Sequence, residues 1–92
     1  MSRVPLYLDH NATSPLRPGV FEAITEALRA GGNPSSVHRA GRDARARVEA
    51  ARGQVARLVG ALPSEVIFTS GGTEANTLAL TGTGRRRVLV SA

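Results

Sequence analysis

The chain has 92 residues, of which 41% are hydrophobic, enough for a modest core and too few for a two-layer catalytic cleft. Its 12 basic residues, every one an arginine, stand against 7 acidic ones for a net charge of +5, and it contains neither lysine nor cysteine. That composition excludes disulfides, thiolate metal sites, a lysine Schiff base and a cysteine nucleophile within these residues.

Taken from the start, no apolar run approaches the roughly 18 to 20 residues that cross a bilayer, and Asp9 interrupts the opening segment before a signal-peptide stretch forms. The expectation is a soluble, cytoplasmic protein without a membrane partner. Residues 4–8 form a short apolar stretch broken by Pro5, and residues 9–15 read as a polar, turn-rich site loop. Pro18 suits a first helical turn, and Val20, Ile24, Ala27 and Leu28 recur at helical spacing until Gly31 and Gly32, which predicts a helix over 18–30. Glu22 and Glu26 then lie on its solvated face, with Glu26 near Arg29.

Asn33 and Pro34 make a turn, and Ser35 and Ser36 are hydroxyl residues suited to capping a helix. From Val37 through Ala40, Ala44, Val48, Ala51 and Val55 to Leu58 one apolar stripe predicts a long amphipathic helix ending near Gly60. Arg39, Arg42, Arg45, Arg47, Arg52 and Arg57 fall on its polar side among Asp43 and Glu49, a solvated or partner-facing surface. Gly41 and Gly53 each cost roughly 1 kcal/mol in a helix, which marks either close packing or a tolerated imperfection. Residues 65–69 read as a short strand, residues 75–80 as helical, and residues 88–91 as the beginning of a second apolar strand.

Between the first strand and the last helix lies Ser70-Gly71-Gly72-Thr73-Glu74. Two glycines let a ligand approach the backbone, and the helix start behind them offers unpaired N–H groups and a positive dipole end, the requirements for holding a phosphate. Thr73 adds a hydroxyl, and Glu74 suits the dipole. From these five residues alone a phosphate cradle and a plain chain reversal both stay open. The motif is neither a P-loop nor a dinucleotide fingerprint. His10 and His38 are not paired at ligand spacing, so no metal site is predicted, and no catalytic residue is assigned. Only Tyr7, Phe21 and Phe68 are aromatic, too few for a base-stacking platform, which argues against nucleic acid.

Four segments stand in one order: residues 7–13 (YLDHNAT), 32–38 (GNPSSVH), 41–42 (GR) and 67–76 (IFTSGGTEAN). Together they resemble the start of NifS/IscS-like cysteine desulfurases in the class V aminotransferase family of fold type I pyridoxal-phosphate enzymes, and the likeness covers essentially the whole chain. The 32–38 run favours this branch over the SufS-like desulfurases and the selenocysteine lyases. The resemblance implies an α/β fold, the beginning of a fold type I transferase with long helices and the first strands of the large-domain sheet, incomplete on its own. It divides the chain into a substrate-side entry segment, 1–14, and the start of the large cofactor-binding domain, 15–92. It implies pyridoxal 5'-phosphate as cofactor, with Gly72 and Thr73 on its phosphate, and L-cysteine as substrate, with His10, Asn11 and Ala12 on the substrate side. Residues 33–38 would shape the site and a homodimer contact, and sulfur-acceptor or scaffold proteins would be the partners.

In such enzymes L-cysteine becomes L-alanine while its sulfur passes to an enzyme cysteine as a persulfide, feeding iron–sulfur cluster assembly or another sulfur-donor pathway. The family's lysine, its cofactor-stacking histidine, its pyridine-pairing aspartate, its carboxylate-binding arginine and its nucleophilic cysteine all fall later than residue 92. The expectation is therefore an N-terminal fragment or truncated product, inactive alone. Two alternatives compete: a non-catalytic arginine-rich module binding nucleic acid or an acidic partner, marked by steep salt dependence, and the remnant subunit of a split desulfurase.

Overall fold

The computed structural model describes residues 3–91. They fall into two compact units, Met1–Ala46 and Arg47–Ala92. The first holds helix α1 (Pro18–Ala30) and the beginning of helix α2 (Arg39–Val59); the second holds the rest of α2, a 3-10 turn at Pro63–Glu65 and helix α3 (Gly72–Gly82).

α1 begins and ends where the punctuation of the sequence puts it. Arg17 precedes it in extended backbone, Pro18 occupies the first helical position, and Gly31 closes it with its N–H donated to the Ala27 carbonyl at 3.1 Å. Glu26 and Arg29 do not pair: the ion pair found among the described residues joins Arg52 and Glu49.

α2 starts at Arg39, and its cap is not one of the serines. His38 Nδ1 accepts the Gly41 N–H at 3.3 Å and the His38 carbonyl accepts the Arg42 N–H at 3.0 Å, so an imidazole takes the place of a hydroxyl at the cap. Ser35 and Ser36 lie in the preceding turn, where the Ser35 N–H reaches Asn33 Oδ1 and the Ser36 N–H the Asn33 carbonyl. The two interior glycines separate clearly. A Cβ on Gly41 would meet the Ser36 carbonyl oxygen at 2.2 Å, whereas one on Gly53 would meet nothing within 4 Å. At the far end Gly60 adopts φ +70°, which an L side chain resists, and lets the Ala61 N–H return to the Ala56 carbonyl at 2.9 Å.

The two expected strands are absent: among the described residues no strand is formed. Glu65 belongs to the 3-10 turn, where its carboxylate accepts the Leu62 N–H at 2.7 Å. Val66 is extended, but it has no neighbouring strand, and a ladder needs two. Residues 88–91 likewise carry no regular structure.

The modest core is also absent. Ala44 in the first unit and Ala56 in the second are the buried apolar side chains among the described residues, while Ile24, Leu28, Val37, Leu58, Ile67 and Leu80 are exposed. The predicted apolar stripes exist as patterns along the helices, but no second layer covers them among the described residues.

Candidate functional site

The 70–74 turn is built from its own short-range hydrogen bonds. Ser70 donates its N–H to Glu74 Oε2 at 2.9 Å and its hydroxyl to the same oxygen at 2.5 Å. These two bonds, the hydroxyl's first, hold the Glu74 carboxyl below its ordinary value of 4.5. The Gly71 carbonyl accepts the Ala75 N–H at 3.1 Å, the first bond of α3, and the Thr69 hydroxyl at 3.0 Å. The N–H groups of Gly72, Thr73 and Glu74 are left without an acceptor among the described residues, as the start of a helix dictates. Neither does the Thr73 hydroxyl find a partner there, although Thr77 and Thr81 return theirs to the carbonyls four residues back.

Neither glycine of the turn is demanded by the protein itself. Gly71 sits at φ 172°, extended backbone open to any residue, and a Cβ on Gly71 or Gly72 would meet no protein atom within 4 Å. What the missing side chains leave is open space beside three N–H donors and one hydroxyl at the positive end of a helix. Those donors fit a phosphate monoester such as that of pyridoxal 5'-phosphate.

The segment entering this turn is tied to α2. Arg52 donates through Nη1 to the Val66 carbonyl and through Nε to Glu49 Oε2 at 3.2 Å, and its guanidinium carbon lies 5.0 Å from the centre of the Phe68 ring. Its side chain is 24% exposed, so of the solvated or partner-facing surface expected for these arginines, Arg52 is not on a solvated part. Its position offered one signal, four residues after Val48 and three before Val55, against the apolar stripe. The acceptor on Val66 was not legible.

His10, Asn11 and Ala12 lie together in an exposed turn of the first unit. The Asp9 carbonyl accepts the Ala12 N–H at 3.1 Å and the Tyr7 hydroxyl at 2.7 Å. The His10 ring stands edge-on to Tyr7, with centroids 5.3 Å apart, and its Nδ1 is 3.3 Å from the Ser14 hydroxyl. The structure thus gathers His10, Asn11 and Ala12, which the sequence reading expects on the substrate side, in one turn and Gly72 with Thr73 in another, each in its own unit. Among the described residues, no three His, Asp or Glu side chains gather where a metal ion could sit.

The comparisons with known proteins bear on the whole chain. The family model of Aminotransferase class-V matches residues 6–91. A selenocysteine lyase of Bos taurus is 54% identical over 76 residues, 82% of this chain and 17% of the relative. An IscS-like cysteine desulfurase of Mycobacterium tuberculosis is also 54% identical over 76 residues, 83% and 19% of the two chains. The cysteine desulfurase IscS of Dictyoglomus turgidum is 50% identical over 78 residues, 84% and 20%. The chain therefore spans about a fifth of the length of these curated relatives. A selenocysteine lyase and an IscS-like desulfurase match at the same identity, 54% over 76 residues. With a family match that runs nearly from end to end, the chain belongs to the class V aminotransferase family.

Proposed function

We propose that the chain carries the phosphate-holding helix start and the substrate-side turn of a pyridoxal-phosphate cysteine desulfurase. The observation that carries this reading is the opening of α3: unpaired N–H groups on Gly72, Thr73 and Glu74, an unpartnered Thr73 hydroxyl, and glycines that no protein contact requires. Gly72 and Thr73 bind the phosphate, and His10, Asn11 and Ala12 border the amino-acid substrate, L-cysteine. When bound, the cofactor supplies the electron sink for cleavage beside the substrate's α-carbon. Residues 1–14 act as the entry segment, 15–92 as the start of the large domain, and the assembled enzyme works as a cytoplasmic homodimer that passes sulfur to acceptor or scaffold proteins for iron–sulfur clusters. Without lysine or cysteine these residues hold the cofactor's phosphate and do not perform the reaction alone. The equal match to a selenocysteine lyase favours a second reading in which the substrate is selenocysteine.

The test tracks amide resonances of the chain during titration with pyridoxal 5'-phosphate. Saturable shifts centred on Gly72, Thr73 and Glu74 are expected. Removal of excess ligand after borohydride treatment should leave no cofactor fixed to a side chain, with peptide mapping to separate any adduct on the Met1 amine. Shifts absent from the 72–74 amides, or a reduced adduct on a side chain, would overturn the reading.

A further inference from the structure

Resting on that reading, we propose that Arg52 is a positioning residue for the phosphate turn. Its guanidinium makes three contacts: Nε meets Glu49, Nη1 meets the Val66 carbonyl, and Cζ stands over the Phe68 ring, 5.0 Å from its centre. Glu49 lies one helical turn before Arg52 and orients the fork from within α2. Val66 and Phe68 belong to the segment that runs, without any ladder of its own, into Ser70 and the glycines. Among the described residues the bond from Arg52 to Val66 is the one hydrogen bond that spans more than five residues of sequence. Arg52 therefore does for this segment what a neighbouring strand would do: it fixes both where the backbone lies and which way it faces before it turns into α3. The unpaired N–H groups of Gly72 and Thr73 keep a common direction because their approach is anchored two and four residues ahead of Ser70.

The experiment compares wild type with Arg52→Met, Arg52→Lys and Phe68→Leu in the full chain, reading amide shifts of residues 66–74 before and during titration with pyridoxal 5'-phosphate. Helix content by circular dichroism accompanies each variant. In the free chain Arg52→Met and Phe68→Leu should both move the Gly71 and Gly72 amides, and both should weaken phosphate binding, Arg52→Met by about tenfold. Arg52→Lys keeps the charge but lacks the fork and the plane, and should restore only part of the affinity. Phe68→Leu leaves the cation in place, so an unchanged affinity there beside a weakened Arg52→Met would assign Arg52 to charge rather than position and overturn the proposal. If wild type binds and Arg52→Met binds as tightly, the proposal falls while the phosphate reading stands. If wild type shows no saturable shift at 72–74, the phosphate reading falls and takes the proposal with it. Should Arg52→Met lose its helices, Phe68→Leu alone decides.

Discussion

Single atoms decide several outcomes in this chain. Gly41 and Gly53 occupy the same helix and have the same propensity, yet their substitutions should have opposite signs. Gly53→Ala meets open space and should gain about 1 kcal/mol of helix stability. Gly41→Ala gains the same propensity but forces a methyl group to 2.2 Å from the Ser36 carbonyl, a clash with backbone, and should lose about 1–3 kcal/mol on balance. Urea titrations of the two variants check the pair, and a stabilised Gly41→Ala would show that the Ser36 turn moves freely. At the 70–74 turn, on the proposed reading that the Thr73 hydroxyl donates to a phosphate, Thr73→Ala should weaken pyridoxal 5'-phosphate binding by about tenfold. Gly72→Val should do more, because its side chain would fill the space left beside the donors. Glu22→Ala, on the exposed face of α1, should change nothing. Equal affinity in all three variants would reduce the glycine turn to a chain reversal.

Helix ends were legible where their cause is local and illegible where it is not. Pro18, Gly31 and Gly60 act through the dihedrals and N–H groups of their own neighbourhoods: α1 begins at Pro18, and α1 and α2 end just before Gly31 and Gly60. Ser35 and Ser36 had the right chemistry for a cap, but His38 is the residue one step before the first helical position, and location outranked chemistry. The strands failed for a different reason: an alternating or apolar run reports a preference for extended backbone, whereas a strand also needs a partner, which no local pattern supplies. The same distance hid the bond from Arg52 to Val66. The start of α3 at Gly72 was legible because a glycine pair before a helix start is a local signal. For α3 the Ser70–Glu74 bonds also carry a pH dependence. A folded carboxyl held below 4.5 contributes its full stabilisation above that value and loses it as pH falls through the folded value. Acidification from well above pH 4.5 to well below it should therefore loosen the first turn of α3. The Glu74 side-chain resonance and the Ser70 amide should titrate together, and Ser70→Ala should raise the midpoint toward 4.5. Independent titration of the two would dissolve the cap as a unit.

At the level of the whole molecule, apolar area outweighs anything that covers it. Among the described residues two alanines are the buried apolar side chains, whereas Leu28 is 76% and Val37 88% exposed. Burial at roughly 25 cal/mol per Å² is the main force opposing chain entropy, and here most of it goes unused. The chain should bind a hydrophobic dye and associate more strongly as its concentration rises, by sedimentation velocity. A monomer at every concentration with a sharp, reversible unfolding transition would contradict this. No helix among the described residues is long and apolar enough to cross a membrane. The tie from Arg52 to Val66 has a consequence for time as well as for place. With every other hydrogen bond among the described residues closing within five positions, loop closure contributes almost nothing to the folding barrier. A temperature jump should reveal helix–coil relaxation within about a microsecond at α1 and no slower phase at Phe68, because fourteen residues of chain close onto the guanidinium in about 0.1 μs.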